Sequence, residues 1–332
     1  MFLPIERIAE RVSVVMVSYN STSVMDSALN SVPAGAEIIV VDNASDDDSL
    51  LRAKNAGASC IANTENVGFG RASNIGAAAA GREFVLFLNP DARLTPGSLE
   101  LMLDAMLRNP DAGAIGPMLI DENGESVWRY TSILHPMSPT QQLQPIEPDG
   151  LCCMPLLTGA ALLCRRSALE EIGGFDEGIF LYYEDDDLCV RLRKHGWSLL
   201  YEPSAVVFHS LGKSSCPSLT LSRTKARYRM QSLAYVSRKY DLRFDPARER
   251  LKAFKRLAIA VLLFDSERRA AALGRLDALA SMSETASDNK ASADRILQYA
   301  NTPRHKLSLA SAQIGAPHQP HREHLNDTSQ KA

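Results

Sequence analysis

The sequence predicts an α/β fold: a doubly wound, mostly parallel sheet with a C-terminal helical extension. Two observations carry this. Over the first hundred residues, short apolar, β-branched runs alternate with segments of helical length, the pattern of parallel β-α-β units. From about Leu219 the chain becomes continuously helical and basic.

Taken in order, Val12 to Val17 is apolar and β-branched and reads as a buried strand. Ser21 to Asn30 reads as a helix, Glu37 to Asp42 as a second strand, and Ser45 as the start of a helix with Asp48 as its capping-box acid. Ser59 to Ala62 is a brief strand. Phe69 to Ala80 is an alanine-rich helix ended by Gly81, Glu83 to Leu88 a fourth strand, and Pro96 to Leu107 a helix. Beyond residue 113 the pattern loosens. Ala114 to Ile120, Ser126 to Tyr130 and Gly159 to Cys164 read as strands, and His135 to Asp149 as a loop. Glu184 to His195 is a helix closed by Gly196, followed by two short strands, Ser198 to Tyr201 and Ala205 to His209. The expected organisation is a catalytic domain over 12–215, a basic helical extension over 216–282 and a polar tail over 283–332. That tail has too little apolar surface to offset the entropy of ordering.

Of the 332 residues, 45% are hydrophobic and 23% charged, enough for a sizeable core. The net charge of −3 hides an asymmetry: Lys213 to Arg256 holds 13 Lys or Arg against 3 acids, a net of +10. Such a segment points to an anionic partner; a solvated helical face is the plainer reading. The six cysteines form no C-x-x-C, so no zinc site is expected and a reducing compartment is. The start, MFLPIERIAERV, lacks the pattern of a signal peptide. No apolar run approaches the roughly 18–20 residues that span a bilayer. The expected location is the cytoplasm, with peripheral contact at the inner membrane face.

In doubly wound sheets ligands bind beyond the C-terminal strand ends, so the residues there are the ones to read. Asp91, in L-N-P-D-A, can hold a hard divalent cation, although Asn-Pro-Asp is also a turn sequence. Glu184-Asp185-Asp186-Asp187 complements a helix dipole, yet four adjacent carboxylates exceed what capping requires. Their crowding raises at least one pKa, which suits a general base. Asp42 can accept hydrogen bonds from a ribose or a base edge. The run Asn66 to Gly76 is glycine-rich enough for a phosphate to approach, but Ser73 breaks the dinucleotide spacing. His209 alone reads as structural; it gains weight if the fold brings it beside Asp91.

The order of these motifs is more specific than any one of them. V-S-Y-N (Val17 to Asn20), V-V-D-N-A-S (Val40 to Ser45), N-x-G-F (Asn66 to Phe69), L-N-P-D-A (Leu88 to Ala92), G-G-F-D-E (Gly173 to Glu177) and Y-E-D-D-D-L-C-x-R-L-R-x-x-G (Tyr183 to Gly196) resemble family-2 glycosyltransferases. The likeness spans roughly residues 12 to 240 and is greatest to the rhamnosyltransferase-like branch. It implies a GT-A fold and inverting transfer from a nucleotide diphosphate sugar, dTDP-rhamnose by analogy with that branch. The acceptor implied is a glycan or a lipid-linked molecule of cell-surface polysaccharide synthesis, and no nucleic-acid partner is expected. Ser18, Tyr19, Asn20, Asp42, Asn66, Gly68 and Asn89 would bind the nucleotide. Asp91, with His209, would hold Mg²⁺ or Mn²⁺; Asp185 would be the base, with Glu184 beside the acceptor. The usual D-x-D is here Asn89-Pro90-Asp91, so metal binding rests on fewer carboxylates.

Two other classes make different demands. A nicotinamide-dependent oxidoreductase requires a glycine fingerprint after the first strand, and Ser18-Tyr19-Asn20-Ser21 has none. A binding module that has lost its chemistry predicts damaged acids, yet Asp42, Asp91 and Asp185 are present.

Overall fold

The computed structural model describes residues 9–136, 146–210, 215 and 218–282. The polar tail, most of the expected 135–149 loop and the start of the basic segment lie outside them. A 3₁₀ turn, Ala9–Arg11, leads into β1 (Val12–Ser18). Then follow α1 (Met25–Asn30), β2 (Glu37–Asp42), α2 (Ser49–Asn55), β3 (Ser59–Ala62), α3 (Phe69–Ala79) and β4 (Phe84–Leu88). These four strands pair in parallel in the order β3-β2-β1-β4. The second half adds β5 (Ala92–Leu94), α4 (Ser98–Arg108), β6 (Ala112–Ile120), β7 (Cys152–Cys153), β8 (Ala161–Arg165), α5 (Arg166–Ile172), α6 (Glu184–Lys194) and β9 (Ser198–His209). The sheet continues β4-β8-β6-β9-β5, with β7 paired to β9. The longest ladders, β1–β2 and β6–β9, are parallel; β8, β5 and β7 are antiparallel inserts.

Side chains alternate across a strand, and β1 uses both faces. Val12, Val14 and Met16 join one core with Met25 of α1, Ala53 of α2 and Leu99, Met102 and Met106 of α4. Val15 points the other way, into a core with Ala72 of α3, Leu169 of α5 and Leu188 and Leu192 of α6. Helices therefore cover both faces of the sheet, as the sequence predicts. Gly76 of α3 is required by this packing: a Cβ there would lie 2.4 Å from Val15 Cγ1.

Several elements differ from expectation. The first two helices start four residues late, at Met25 and Ser49, because side chains hold the residues ahead of them in turns. Asp42 accepts hydrogen bonds from the Ser45 backbone (3.0 Å) and hydroxyl (2.5 Å), and Asp47 accepts from the Ser49 backbone (3.0 Å). Ser126 to Tyr130 makes only a single bridge, Ile120 to Ser126. The two strands expected at 198–209 are one, bent where Pro203–Ala205 bulge out between the Pro117–Glu202 and Met118–Val206 pairings. The strands β5 and β7 and the helix α5 have no counterpart in the sequence reading.

The C-terminal part consists of α7 (Leu219–Lys239), α8 (Pro246–Leu262) and a final helix over 266–282. Ser218 caps α7, accepting from Leu221 N at 3.0 Å, and Asp245 caps α8 ahead of Pro246. Met230, Ala278 and Leu279 form a small core joining the final helix to α7.

Candidate active site

A cleft of about 350 Å³ opens at the C-terminal ends of β1, β2 and β4. Among the predicted residues, Tyr19, Asn66, Gly68, Asn89, Asp91, Glu184, Asp185 and His209 line it. Ser18, Asn20 and Asp42 are not part of that lining. Ser18 and Asp42 sit opposite each other in the β1–β2 ladder, and the Ser18 hydroxyl donates to Asp42 Oδ1 at 2.7 Å. With Ser45 on the same carboxylate, Asp42 is a buried brace between two loops. Asn20 has φ +54° and accepts from Asp46 N at 2.8 Å, tying the same loops from outside.

The glycine-rich turn is organised by Asn43, which is buried. Its amide donates to Asn66 Oδ1 (2.9 Å) and Gly68 O (3.2 Å), and its carbonyl accepts from Val67 N (3.1 Å). Gly68 has φ +89°, and a Cβ there would lie 2.6 Å from Phe180 O. Only glycine meets both conditions. Phe69 N then donates to Phe180 O at 2.9 Å, fixing the turn against the segment that leads into α6.

The fold does bring His209 beside Asp91. The short strand β5 pairs with the end of β9, placing Ala92 opposite His209, and Ser210 N donates to Asp91 O at 3.0 Å. His209 Nε2 lies 3.5 Å from Asp91 Oδ1. Both residues are buried, and the His209 Nδ1 has no hydrogen-bond partner among the described residues. A buried imidazole with an unused nitrogen, next to a carboxylate at a cleft wall, fits a divalent cation. No group of three or more His, Cys, Asp or Glu gathers there among the described residues, so a cation would draw its other ligands from a bound molecule.

Opposite this pair stands the start of α6. Tyr182 and Tyr183 precede it with φ +69° and +71°, a costly left-handed pair that aims the first carboxylates into the cleft. Burial, then the charges of Asp185 and Asp186, push Glu184 up to about 8. Burial and Asp185 push Asp186 up to about 7. Asp185 Oδ2 accepts from Gly159 N and from Arg129 Nη2, both at 3.1 Å, and Asp186 Oδ1 accepts from the same Arg129 nitrogen at 2.8 Å. Asp187 faces away from the cleft: Arg191 Nε (2.7 Å), Lys239 Nζ (2.5 Å) and Tyr240 OH (2.7 Å) donate to it.

Sequence reasoning missed the roof. Leu221, Thr224, Lys225 and Tyr228 of α7 line the cleft, so its wall runs past the expected boundary at residue 215. Tyr228 stacks on Phe180 with ring centroids 3.8 Å apart, and Ser232 donates to Leu181 O at 2.8 Å. Lys225 is the one Lys or Arg among the described lining residues. It belongs to the basic segment, but nothing in that segment distinguishes it from its neighbours. Arg129 was likewise unmarked in sequence.

Carboxylates facing a carboxylate–histidine pair across a cleft at the strand ends define an enzyme of group transfer on an α/β sheet. The glycosyl transferase family 2 model matches residues 13–173. The N-acetylglucosaminyl-diphospho-decaprenol L-rhamnosyltransferase of Mycobacterium tuberculosis is 32% identical over 240 residues, covering 61% of this chain and 76% of that protein. A dTDP-rhamnosyl transferase of Shigella flexneri is 22% identical over 184 residues, covering 54% and 61%. Among solved structures, the mannosyltransferase of Pyrobaculum calidifontis in complex with GDP-Man and Mn²⁺ matches with a TM-score of 0.50 at 17% identity, covering 84% of this chain and 79% of that one. The chain belongs to glycosyltransferase family 2. It is a glycosyltransferase of GT-A type, similar to rhamnosyltransferases.

Proposed function

We propose that this enzyme transfers a sugar, rhamnose from dTDP-rhamnose, to a lipid-linked glycan acceptor in cell-surface polysaccharide synthesis, with inversion. The observation that carries the proposal is the cleft itself, with Asp91 and His209 on one side and Glu184 and Asp185 on the other. Tyr19, Asn66, Gly68 and Asn89 bind the nucleotide, and Ser18, Asn20 and Asp42 hold their loops one layer behind. Asp91 and His209 would hold Mg²⁺ or Mn²⁺, which when bound neutralises charge on the leaving diphosphate. Lys225 faces the same cleft and adds a fixed cation. Asp185 takes the proton from the acceptor hydroxyl as that oxygen bonds to the anomeric carbon and the diphosphate departs from the opposite face. Arg129 and Gly159 N hold the Asp185 carboxylate for that step. We assign the catalytic domain to extend through α7. The dTDP-rhamnose donor and the lipid-linked acceptor are drawn from what the two named bacterial relatives are called.

The basic segment 213–256, expected to meet an anionic partner, is divided in the structure between α7 and the start of α8. In α7, Tyr228, Lys239 and Tyr240 are engaged with the catalytic part, so we assign peripheral membrane contact to α8. Leu251, Phe254, Ile259 and Leu262 lie exposed there. No helix among the described residues is long and apolar enough to cross a membrane.

Asp185→Asn should lower turnover by about 10² to 10⁴-fold with nucleotide affinity unchanged, read by transfer kinetics and calorimetry. Normal turnover would overturn the assignment of the base. Asp91→Ala should weaken nucleoside diphosphate binding and abolish its dependence on Mn²⁺; full wild-type activity in EDTA would overturn the metal's role.

A further inference from the structure

A second hollow, of about 670 Å³, lies between α7, α8 and the final helix. Its lining includes six cations: Arg229, Arg243, Arg248, Lys252, Arg256 and Arg275. The lining holds two carboxylates, and both are engaged: Asp245 caps α8, and Glu249 pairs with Lys252. No carboxylate forms an ion pair with any of the five arginines among the described residues, although Glu249 is near enough to Arg275 to oppose part of the repulsion on it. Crowded like charges oppose folding, and Arg275 carries the mark of it. Burial, with Arg256 and Arg229 beside it, holds its pKa below the usual arginine value. Five arginines thus surround one hollow with no carboxylate paired to them among the described residues; four are exposed to solvent, and Arg229 also lies over the Tyr182 ring, 5.1 Å from its centroid, so together they form a concentrated positive surface open to a polyanion. The planar, multi-donor guanidinium suits phosphate oxygens.

The position matters as much as the charge. Tyr182 lines the catalytic cleft and Tyr183 lines this hollow, so a single backbone step separates them. Glu184 and Asp185 follow at once. A molecule anchored by phosphates in the hollow and reaching past the Tyr182–Tyr183 pair would bring its far end to the base. The helix α8, which supplies Arg248, Lys252 and Arg256 to the hollow, also carries exposed apolar side chains along which a lipid chain can run.

We infer that this arginine-lined hollow binds the diphosphate of a lipid-linked acceptor, holding the acceptor's sugar hydroxyl at Asp185. The inference rests on the glycosyltransferase reading above and assigns the place where its lipid-linked acceptor is held.

The probes are geranyl diphosphate, geraniol and anionic phosphatidylglycerol vesicles, titrated into the full chain in EDTA with saturating dTDP filling the cleft. Wild type should bind geranyl diphosphate and ignore geraniol. The Arg256→Gln/Arg275→Gln variant should bind the diphosphate at least about tenfold more weakly, because it loses two charge-assisted phosphate contacts. The variant should melt no lower than wild type, because the substitutions relieve repulsion; a merely structural pair of arginines would lower it. In transfer assays the variant should raise the KM of a diphosphate-bearing acceptor about tenfold and leave acceptor-free donor hydrolysis unchanged. Equal diphosphate affinity in variant and wild type would overturn the inference, as would binding to the vesicles with none to geranyl diphosphate. Loss of donor hydrolysis in wild type would instead strike the catalytic reading, leaving the calorimetry to decide the hollow on its own.

Discussion

Glu184 sits in the cleft with its carboxyl pushed up to about 8, by burial before anything else. In the unfolded chain the same group titrates near 4.3. Between those values the folded protein keeps a proton that the unfolded chain has released, so stability falls as pH rises across that window and levels above it. Asp186, at about 7, adds to the same slope over a narrower range. Glu184→Gln removes the larger contribution. Its melting temperature should therefore exceed that of wild type increasingly from pH 5 to pH 8, as read by thermal melts across that range. Parallel profiles would show that Glu184 is solvated. Four adjacent acids announce such a shift in sequence, but not which of them carries it. That depends on burial, which takes Glu184 and Asp186 out of water, and Arg129, more than fifty residues away, only partly opposes it at Asp186. Asp42 shows the limit from the other side. A carboxylate at a strand end reads as a ligand, yet its register partner Ser18 and the following Ser45 already occupy it.

At the scale of elements, the joint between α6 and α7 decides the shape of the cleft. Asp187 is fully buried and receives Arg191 from its own helix and Lys239 and Tyr240 from the end of α7. Lys239 also reaches Asp176, and Tyr235 donates to Asp176 at 3.1 Å. Asp187→Asn leaves a buried cation short of its partner and should cost about 2 kcal/mol or more. It should also raise the KM for donor as the α7 wall loosens. The measurements are denaturant unfolding and donor kinetics, and wild-type values for both would overturn the role. Asp187 is thus no neutral control for Asp185, although sequence adjacency makes the two look equivalent. The parallel half of the sheet was legible because each strand is an apolar run bounded by turns. The site's last piece was not, because β5 is three residues long and its pairing with β9 joins positions over a hundred residues apart. The same pairing is what makes His209 a neighbour of Asp91.

Over the whole molecule, the positive charge counted over 213–256 divides among several uses. Lys239 and Arg223 are spent on ion pairs that fasten α7, to Asp176, Asp187 and Asp277. Lys225 faces the catalytic cleft, and Arg229, Arg243, Arg248 and Arg256 turn toward the second hollow, where Arg275 from the final helix joins them. Lys255 remains on the outer surface of α8, among Leu251, Phe254, Ile259 and Leu262. Composition alone could weigh that charge over 213–256 but not apportion it between α7 and α8. Exposed apolar groups beside cations are the pattern of an interfacial helix. Leu262, Leu263 and Phe264 continue it, with Phe264 95% exposed. Each large apolar side chain that leaves water contributes about 1.5–3 kcal/mol when fully buried, and each cation near an anionic surface about 1 kcal/mol. A few of each can hold the enzyme at a bilayer reversibly. Surface attraction is screened over about 10 Å at 0.1 M salt, whereas apolar insertion is not. The full chain should therefore co-sediment with phosphatidylglycerol vesicles at low salt, retain part of that binding at high salt, and bind neutral vesicles weakly. Replacing Phe254, Leu262 and Phe264 with Ser should abolish the salt-resistant part and leave the melting temperature and soluble-acceptor kinetics unchanged, because none of the three is buried. Salt-resistant binding that survives the triple replacement, or no binding to anionic vesicles at low salt, would remove α8 from the membrane.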